Sequence, residues 1–276
     1  MKEIVNELYE LIQHPPEIPD EWCNKLGNDI AKMLKDRITE SRPNNTLRLS
    51  SIGHGDRYLW YSVRDDINRE PFTPATRFKF LFGDIIELVF IALIRLTGHK
   101  VTEEQKEVEL EGVKGHIDCL VDGELVDIKS AASFSFKKFA DGTLHMDDKF
   151  GYYAQLAAYG EAMDVEPAGW FVWDKQLGHM TFCEAKPEHL HNMSRRIKEI
   201  KEVVKGPLPD HCFQPVPDGK SGNLKLATQC SYCPFKFECW KDYNMGRGIR
   251  IFLYSTGPRY LIKVENEPKV QEIAAT

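Results

Sequence analysis

The sequence predicts an α/β or α+β protein whose core carries helical and cysteine-rich additions. Helical patterns fill the first part of the chain, strand patterns alternate with helices in the middle, and a compact cysteine cluster follows them. A β-hairpin with a favoured two-residue turn lies near the centre of the strand region. Because strands that alternate with helices usually form a sheet covered by helices, we expect a sheet-based core.

Composition limits the classes to which the protein can belong. The chain has 276 residues, 42% of them hydrophobic, and a formal net charge of −6. This apolar content is enough for a core and excludes a disordered or fibrous chain. The acidic balance excludes a wholly basic nucleic-acid binder, although a locally basic groove remains compatible with it.

The sequence gives no sign of a membrane or secreted protein. Its first residues carry acids where a secretory signal would have a basic region, and the longest apolar stretch, Leu88–Ile94, is too short to span a bilayer. The seven cysteines are odd in number and unevenly spaced, unlike a disulfide framework. We expect a soluble, cytoplasmic protein with no membrane partner, whose thiols are reduced or bound to metal.

Helical patterns begin the chain and recur through it. Prolines separate the first two helices, and Gly98 ends a strongly apolar one. The predicted helices cover 1–13, 20–40, part of 47–63 with Ser50 or Ser51 as a cap, 77–96, 150–163 and 187–205, the last opened by Pro187.

Strand patterns are concentrated between residues 100 and 185. An exposed strand is predicted over 100–110, and 131–148 has the composition of a loop. The other predicted strands are 113–121, 124–130, 169–174 and 179–185. The chain then divides into an N-terminal helical region (1–75), a core (76–205), a cysteine-cluster segment (206–244) and a C-terminal tail (245–276).

The predicted hairpin carries the chemically informative residues. With a two-residue turn at Asp122-Gly123, Asp118 faces Asp127 across the two strands. Lys129 follows Asp127 by two residues and projects from the same face. Two acids and a lysine therefore converge on one patch, provided that the register does not slip by one residue.

A solvated sheet face could also carry these charges, with Lys129 as an ordinary ion-pair partner. Against that interpretation, Leu125, Val126 and Ile128 give the strand the hydrophobicity of a buried one. Acids on a buried strand need a cation to compensate their charge. The hairpin alone leaves a metal site and a solvated face open.

Glu87 lies within the run 85–91, which is otherwise apolar on all sides and predicts a buried helix. An unpaired buried carboxylate is costly or stays protonated. One solution pairs Glu87 with an arginine such as Arg57 or Arg77. The other brings Glu87 and the hairpin acids around one hard cation, and oxygen ligands of this kind suit Mg²⁺ or Mn²⁺.

Four short motifs occur in series: Gly83-x-x-x-Glu87, Gly115-His116-Ile117-Asp118, Asp127-Ile128-Lys129 and Gln155-x-x-x-Tyr159. Together with the terminal cysteines, they resemble the PD-(D/E)XK nuclease superfamily in its RecB-like branch, which includes the CRISPR adaptation nucleases with a terminal iron–sulfur cluster. The resemblance covers residues 47–240. The sequence has Glu87 where many members have histidine and Asp127 where glutamate is commoner, and both residues offer an oxygen ligand.

The resemblance implies a restriction-endonuclease-like core, with a central mixed β-sheet flanked by helices, and a metal-dependent DNA nuclease. The implied ligands of one or two Mg²⁺ or Mn²⁺ ions are Glu87, Asp118, Asp127 and the carbonyl of Ile128. Lys129 would orient the attacking water and stabilise the transition state. We expect an exonuclease that acts on DNA ends or single strands in recombination, repair or phage DNA processing. A structure-specific or restriction-type endonuclease and a non-catalytic DNA-binding module are the alternatives.

Candidate DNA contacts lie after the hairpin. Tyr152, Gln155 and Tyr159 share one helix face; an aromatic stripe packed in the core is the alternative, and the resemblance implies contact with DNA or with the catalytic lysine. Further candidates are Lys137 and Lys138, which lie among phenylalanines that could stack on bases. Arg57 would contact DNA or pair with an acid.

The spacing Cys230-x-x-Cys233-x5-Cys239 is typical of metal ligands, with burial of three structural cysteines as the alternative. The resemblance implies a [4Fe–4S] cluster completed by one upstream cysteine, but that position is Gly55 here. The candidates for a fourth ligand are Cys212, His54, His211 and the more distant Cys23, of which Cys212 and His54 are favoured. Either an iron–sulfur cluster or Zn²⁺ is therefore expected.

Overall fold

The structure, a computed structural model, describes residues 1–39 and 45–274. These residues form two compact units that alternate along the sequence. The first unit contains the described residues of 1–43, 47–53 and 73–199. The second contains those of 44–46, 54–72 and 200–276.

Ten helical segments are found in the described residues: α1 Lys2–Gln13, α2 Asp20–Thr39, α3 Asp56–Ser62, α4 Pro74–Leu96, α5 Ser133–Ala140, α6 Tyr152–Met163, α7 Met193–Val203, α8 Thr228–Ser231, α9 Lys236–Cys239 and α10 Tyr243–Gly246. In α10 two residues have left-handed backbone angles, so this segment is a turn rather than a regular helix. Short 3-10 helices span Leu49–Ser51, Leu144–Met146 and Pro187–His189.

The strands of the first unit form a central five-stranded sheet and a separate two-stranded one. They are β1 Val101–Thr102, β2 Glu107–Leu110, β3 Val113–His116, β4 Cys119–Val121, β5 Glu124–Ala131, β6 Pro167–Asp174 and β7 Met180–Glu184. The central order is β1-β4-β5-β6-β7, while β2 pairs with β3. The pair β5–β6 is parallel and the other neighbours are antiparallel, so the sheet is mixed. With helices flanking this sheet and a helical N-terminus, the predicted α/β class is confirmed.

The core of the first unit lies between the central sheet and two helices. Ile4 and Leu8 of α1 and Phe90 of α4 pack with Val126 of β5 and Phe171 of β6, and all five are almost fully buried. This packing fixes the C-terminal half of α4 against β5. Transfer of such side chains from water stabilises the unit by about 2 kcal/mol each.

The predicted hairpin register is confirmed. Cys119 pairs with Val126 and Val121 pairs with Glu124. Asp122 and Gly123 form the turn with φ values of 51° and 91°, the left-handed angles that a two-residue hairpin turn requires. Asp118 lies one residue before the first paired residue of β4.

Several element boundaries differ from the predictions. The strand expected over 113–121 is interrupted at Ile117 and Asp118, because β3 pairs with β2 rather than continuing into β4. The strand expected over 100–110 is likewise split into β1 and β2. Helix α4 starts at Pro74, where the Thr73 side chain caps it, and residues 85–89 are only half-buried rather than buried.

Three further differences concern helices. The segment 131–148, expected to be a loop, contains α5 and a 3-10 helix. Pro187 opens a 3-10 helix and not α7, which begins at Met193. Ser50 and Ser51 lie within a 3-10 helix, and Gly55 is the residue at the N-cap of α3.

The second unit contains a five-stranded antiparallel sheet. Its strands are β8 Val216–Pro217, β9 Leu224–Lys225, β10 Arg250–Tyr254, β11 Gly257–Lys263 and β12 Glu272–Ile273, in the order β12-β10-β11-β9-β8. Residues 245–274, expected as a tail, therefore supply three of these strands. Leu226, Trp240, Ile251 and Ile262 form part of the core. Across 1–39 and 45–274, no helix combines the length and apolar character needed to cross a membrane.

Candidate functional site

Asp118, Asp127 and Lys129 lie together at the open end of the hairpin. The Ile128 amide donates a hydrogen bond of 2.6 Å to Asp118 Oδ2, which holds the Asp118 side chain over β5. Lys129 Nζ donates to Asp127 Oδ1 at 2.9 Å and lies 2.8 Å from Asp127 Oδ2. The hairpin register thus produces the predicted convergence of two acids and a lysine.

Glu87 lies on α4 and reaches this group through a residue that sequence reasoning missed. Gln105 Nε2 donates to Glu87 Oε1 at 2.5 Å, and the Gln105 amide donates to the Asp118 carbonyl at 3.1 Å. Gln105 therefore links both acidic segments. Neither of the suggested arginines is seen to pair with Glu87: Arg57 donates to the carbonyls of Pro209 and Cys239, and Arg77 is exposed.

The sequence contained little signal for Gln105. Gln105 lies in a polar stretch whose alternating pattern predicts an exposed strand. In the structure the chain turns there instead, with φ of 56° at Glu103 and 50° at Gln105. Non-glycine residues with such angles are uncommon and often lie at functional sites. This strain appears in the backbone angles and not in the residue pattern.

Burial raises the pKa of all three acids, and neighbouring carboxylates add to that effect at Glu87 and Asp118. Burial, with the charges of Asp127 and Asp84, raises the pKa of Glu87 to about 7, against the hydrogen bond from Gln105. Burial and the negative charges of Glu87 and Asp127 hold the pKa of Asp118 well above its usual value. Burial also raises the pKa of Asp127, although Lys129 opposes this effect.

Lys129 responds in the opposite direction. Burial alone would lower the pKa of its ammonium group, but the carboxylates of Asp127 and Asp118 outweigh burial and raise that pKa. Lys129 is therefore protonated at neutral pH. One lysine beside three acids leaves an excess of negative charge, which a divalent cation would compensate.

The donor set fits a hard divalent ion. Asp127 is 1% exposed, and Lys129 Nζ lies 2.8 Å from its Oδ2 in an ion pair without a well-aligned hydrogen bond. This buried oxygen therefore keeps a lone pair that a divalent cation could share. Mg²⁺ and Mn²⁺ prefer such oxygen ligands. Within the described part of the chain, no three histidine, cysteine, aspartate or glutamate side chains are already arranged to hold a metal. That these acids and the Ile128 carbonyl hold a metal ion stays a prediction.

Helix α6 places its polar residues beside Asp127. Gln155 Nε2 lies 3.5 Å from Asp127 Oδ1 and donates to the Tyr159 hydroxyl at 3.2 Å. Tyr159 is 2% exposed, and its buried hydroxyl holds the Gln155 amide in position. The Tyr152 ring centroid lies 5.5 Å from Lys129 Nζ, a cation–π contact. Gln155 and Tyr152 are therefore brought to the acids, whereas Tyr159 is buried beneath them.

The two lysines of α5 have different environments. Lys138 Nζ donates to Asp147 Oδ2 at 2.5 Å and lies 5.6 Å from the centroid of the Phe134 ring. Lys137 is exposed, and no ion pair with another described residue engages it. Phe134 is 77% exposed. Lys137 and Phe134 thus remain accessible to a ligand, while Lys138 already serves to hold the loop after α5.

Four cysteines of the second unit interact electrostatically: Cys212, Cys230, Cys233 and Cys239. Burial, with the charge of neighbouring thiolates, raises the pKa of Cys230 and of Cys233 to about 12. The Phe235 amide donates a hydrogen bond to the Cys233 sulfur. Thiols in this environment are inert unless a metal or another cation favours the thiolate.

Cys212 occupies the space beside Gly55. A Cβ atom on Gly55 would lie 2.6 Å from Cys212 Sγ, so the thiol fills the volume that a side chain at position 55 would need. His54 instead stacks on Tyr58, with ring centroids 4.1 Å apart. Arg57 donates to the carbonyls of Pro209 and Cys239 at 2.9 and 3.4 Å. Burial raises the pKa of Cys239, and the charge of Arg57 opposes part of that rise.

Comparison with known proteins gives little further information. No family model matches the chain, and no curated protein matches it. The crystal structure of SSO0001 is similar to this chain with a TM-score of 0.43 and 13% sequence identity, over 75% of this chain and 91% of that one. At that level the similarity carries no argument about fold or function.

Proposed function

We propose that this chain is a divalent-metal-dependent DNA nuclease of the PD-(D/E)XK type. The observation that supports the proposal best is the hairpin, whose register brings Asp118 beside Asp127 and Lys129. Glu87 joins them through Gln105. Three acids whose pKa values are raised by burial, two of them also by neighbouring carboxylates, have no structural benefit unless a cation or a substrate compensates them.

Each residue of the candidate site would have its own role in cleavage. Glu87, Asp118 and Asp127 would hold Mg²⁺ or Mn²⁺. The bound ion would lower the pKa of a water molecule and stabilise negative charge on a phosphate. Lys129 stays protonated and can donate to a phosphate oxygen as negative charge develops there. Gln155 keeps Asp127 in place through its amide.

Isosteric substitutions test the proposal. Asp127→Asn keeps the shape of the side chain but removes the charge of a proposed ligand, and we expect cleavage to fall at least about a hundredfold. Lys129→Met should retain Mn²⁺ binding and lose turnover, because the ammonium group would act mainly in the transition state. Asp164→Asn, a surface change on the turn after α6, is the matched control.

The substrate panel separates the alternatives. End-labelled linear duplex, single-stranded linear and covalently closed circular DNA are incubated with Mg²⁺, with Mn²⁺ or with chelator. Degradation restricted to molecules with ends supports the exonuclease that we favour, whereas cutting of circles supports an endonuclease. DNA binding without metal-dependent cleavage would identify a non-catalytic module, and wild-type cleavage by Asp127→Asn would refute the proposed site.

We also propose that the second unit holds a structural metal centre, either an iron–sulfur cluster or Zn²⁺. Cys230 and Cys239 lie in four-residue helices and Cys233 lies between these helices, so ligation would contribute to the folding free energy of this short segment. Cys212 is the proposed fourth ligand, because it interacts with all three of the others. His54, which packs on Tyr58, is the less favoured candidate.

A further inference from the structure

The Arg57 guanidinium is engaged within the second unit. Arg57 lies in the first turn of α3 and donates to the carbonyls of Pro209 at 2.9 Å and Cys239 at 3.4 Å. Its Cζ atom lies 5.7 Å from the centroid of the Tyr61 ring, and Tyr61 is 3% exposed. Because a guanidinium group presents several donors in a rigid fork, one side chain joins α3 to two segments that are distant in sequence.

Both of these segments carry cysteines of the proposed metal centre. Pro209 precedes Cys212 by three residues, and Cys239 is the last cysteine of the triplet 230–239. His211 Nε2 lies 3.2 Å from the same Cys239 carbonyl, so a second contact joins the Cys212 segment to Cys239. Arg57 therefore contacts the backbone both close to the proposed fourth ligand and within the triplet.

Arg57 has no acidic partner among the described residues. No carboxylate there forms an ion pair with Arg57, and Glu238, the acid of α9, pairs with Lys241 at 2.7 Å. Arg57 Nε is buried and has no hydrogen-bond partner in the described part of the chain. A cation with a buried, unused donor is costly unless negative charge compensates it. The Cys239 thiol, with which the guanidinium interacts electrostatically, can supply that charge when it is ionised.

A metal-loaded cysteine centre would provide the missing negative charge. Four thiolates exceed the charge of one divalent ion, and an iron–sulfur cluster held by four thiolates is likewise anionic. We propose that Arg57 is a positioning residue of the cysteine centre, which joins the Cys212 segment to Cys239 and compensates the negative charge of the metal-bound thiolates. The inference rests on the metal centre proposed above, and it gives Arg57 a role other than DNA contact or pairing with an acid.

Retention of Co²⁺ tests the inference without any measurement of cleavage. The full chain is loaded with Co²⁺ under reducing, anaerobic conditions, a competing chelator withdraws the ion, and the thiolate–cobalt absorption reports occupancy. Arg57→Met keeps much of the length of the side chain but removes its charge, and we expect Co²⁺ affinity to fall about 10- to 100-fold. Arg57→Lys keeps the charge without the fork, and its affinity should lie between those of the wild type and Arg57→Met.

Arg64→Met is the matched control. Arg64 also donates to two backbone carbonyls of the second unit, those of Trp60 and Val204, but its described contacts include no cysteine. Its loss should lower the melting temperatures of the metal-free and Co²⁺-loaded proteins alike. In Arg57→Met, by contrast, the increase in melting temperature that Co²⁺ gives should be smaller than in the wild type, because only the loaded protein contains thiolates that need the arginine. Circular dichroism establishes that each variant is folded.

Several results would overturn the inference. If the wild type binds Co²⁺ and Arg57→Met retains it equally well, the role of Arg57 is refuted and the centre stays in place. An affinity of Arg57→Lys as low as that of Arg57→Met, or an equal loss in Arg64→Met, also refutes charge compensation. Weaker binding of labelled DNA, measured by fluorescence anisotropy in chelator, with unchanged Co²⁺ affinity would make Arg57 a DNA contact instead. A wild type that takes up neither Co²⁺, iron nor zinc would refute the centre itself and, with it, this role of Arg57.

Discussion

At the scale of single residues, the candidate site is a balance between burial and charge. Asp127 is almost completely buried, and burial together with neighbouring carboxylates raises the pKa values of Asp118 and Glu87. Lys129 compensates only part of that charge. A metal-free site should therefore cost stability when all three acids ionise, and a bound cation should recover it.

This balance predicts how stability depends on pH in the metal-free protein. The folded state holds a proton on Glu87 up to about pH 7, whereas the usual pKa is 4.5. The folded state thus binds more protons than the unfolded state in this window, and the free energy of unfolding falls as the pH rises through it. The effect of Glu87 is at most about 3 kcal/mol, because part of its side chain remains in contact with water.

Thermal denaturation in chelator between pH 4.5 and 8 measures this effect. Glu87→Gln should flatten the slope without abolishing it, because the pKa values of Asp118 and Asp127 are raised as well. Saturating Mn²⁺ should also flatten it. A metal-free wild type that becomes more stable from pH 5 to pH 7 would contradict the assignment of these pKa shifts.

Gln105 provides a second test at the residue scale. Gln105→Asn tolerates the left-handed backbone but shortens the side chain by one methylene group, so the amide no longer reaches Glu87. We expect Mn²⁺ affinity to fall about 10- to 100-fold, as is typical when a partner of a metal ligand is lost. Calorimetric titration measures it.

The matched control for Gln105→Asn is Glu103→Asn. Glu103 has a similar left-handed φ, but its carboxylate pairs with Lys106 rather than contacting the acids of the site. It should bind Mn²⁺ as the wild type does. Equal affinities of the two variants would show that Gln105 does not position Glu87.

At the scale of elements, a helix or strand was predictable where residues close together in the sequence determine it. The hairpin was predictable because Asp122-Gly123 specifies both the turn and the register. The break at Asp118 was not, since it depends on β3 choosing β2 as its partner. Helix α5 was missed because its sequence, rich in phenylalanine, serine and lysine, has no strong helical periodicity, and contact with β6 and β7 stabilises it.

The structure of α5 predicts that its two lysines respond differently to substitution. Lys137→Ala removes an exposed charge, and we expect weaker DNA binding with a salt dependence reduced by about one phosphate contact. Lys138→Ala breaks the ion pair with Asp147 and should affect the salt dependence less. Anisotropy over a salt series measures both. Identical slopes for Lys137→Ala and the wild type would remove α5 from the DNA-binding surface.

At the scale of the whole molecule, the two units differ in how much their sequence reveals. The acids and Lys129 of the first unit were predictable from strand register and from an unpaired glutamate in an apolar helix. In the second unit, the triplet 230–239 was evident from its spacing, but the position of Cys212 beside Gly55 was not. Contact between residues so far apart in sequence depends on tertiary packing, which spacing does not encode.

This contact leads to a prediction about the cysteine centre. We expect anaerobically purified protein to contain iron or zinc, and Cys212→Ala to lose the metal and melt at a lower temperature. His54→Ala should retain the metal. Cys183→Ala, which changes a buried cysteine of the first unit, should retain it as well.

Adding Gly55→Cys to Cys212→Ala should restore the metal. A side chain at position 55 would begin 2.6 Å from the place that Cys212 Sγ vacates, and the φ of −68° at Gly55 suits any residue. Gly55→Cys alone should lower stability, because its Cβ would clash with Cys212. Metal content by elemental analysis, visible absorption and the melting temperature decide the outcome. A Cys212→Ala protein that keeps its metal while His54→Ala loses it would reassign the fourth ligand, and a wild type without iron or zinc would show that these cysteines only pack.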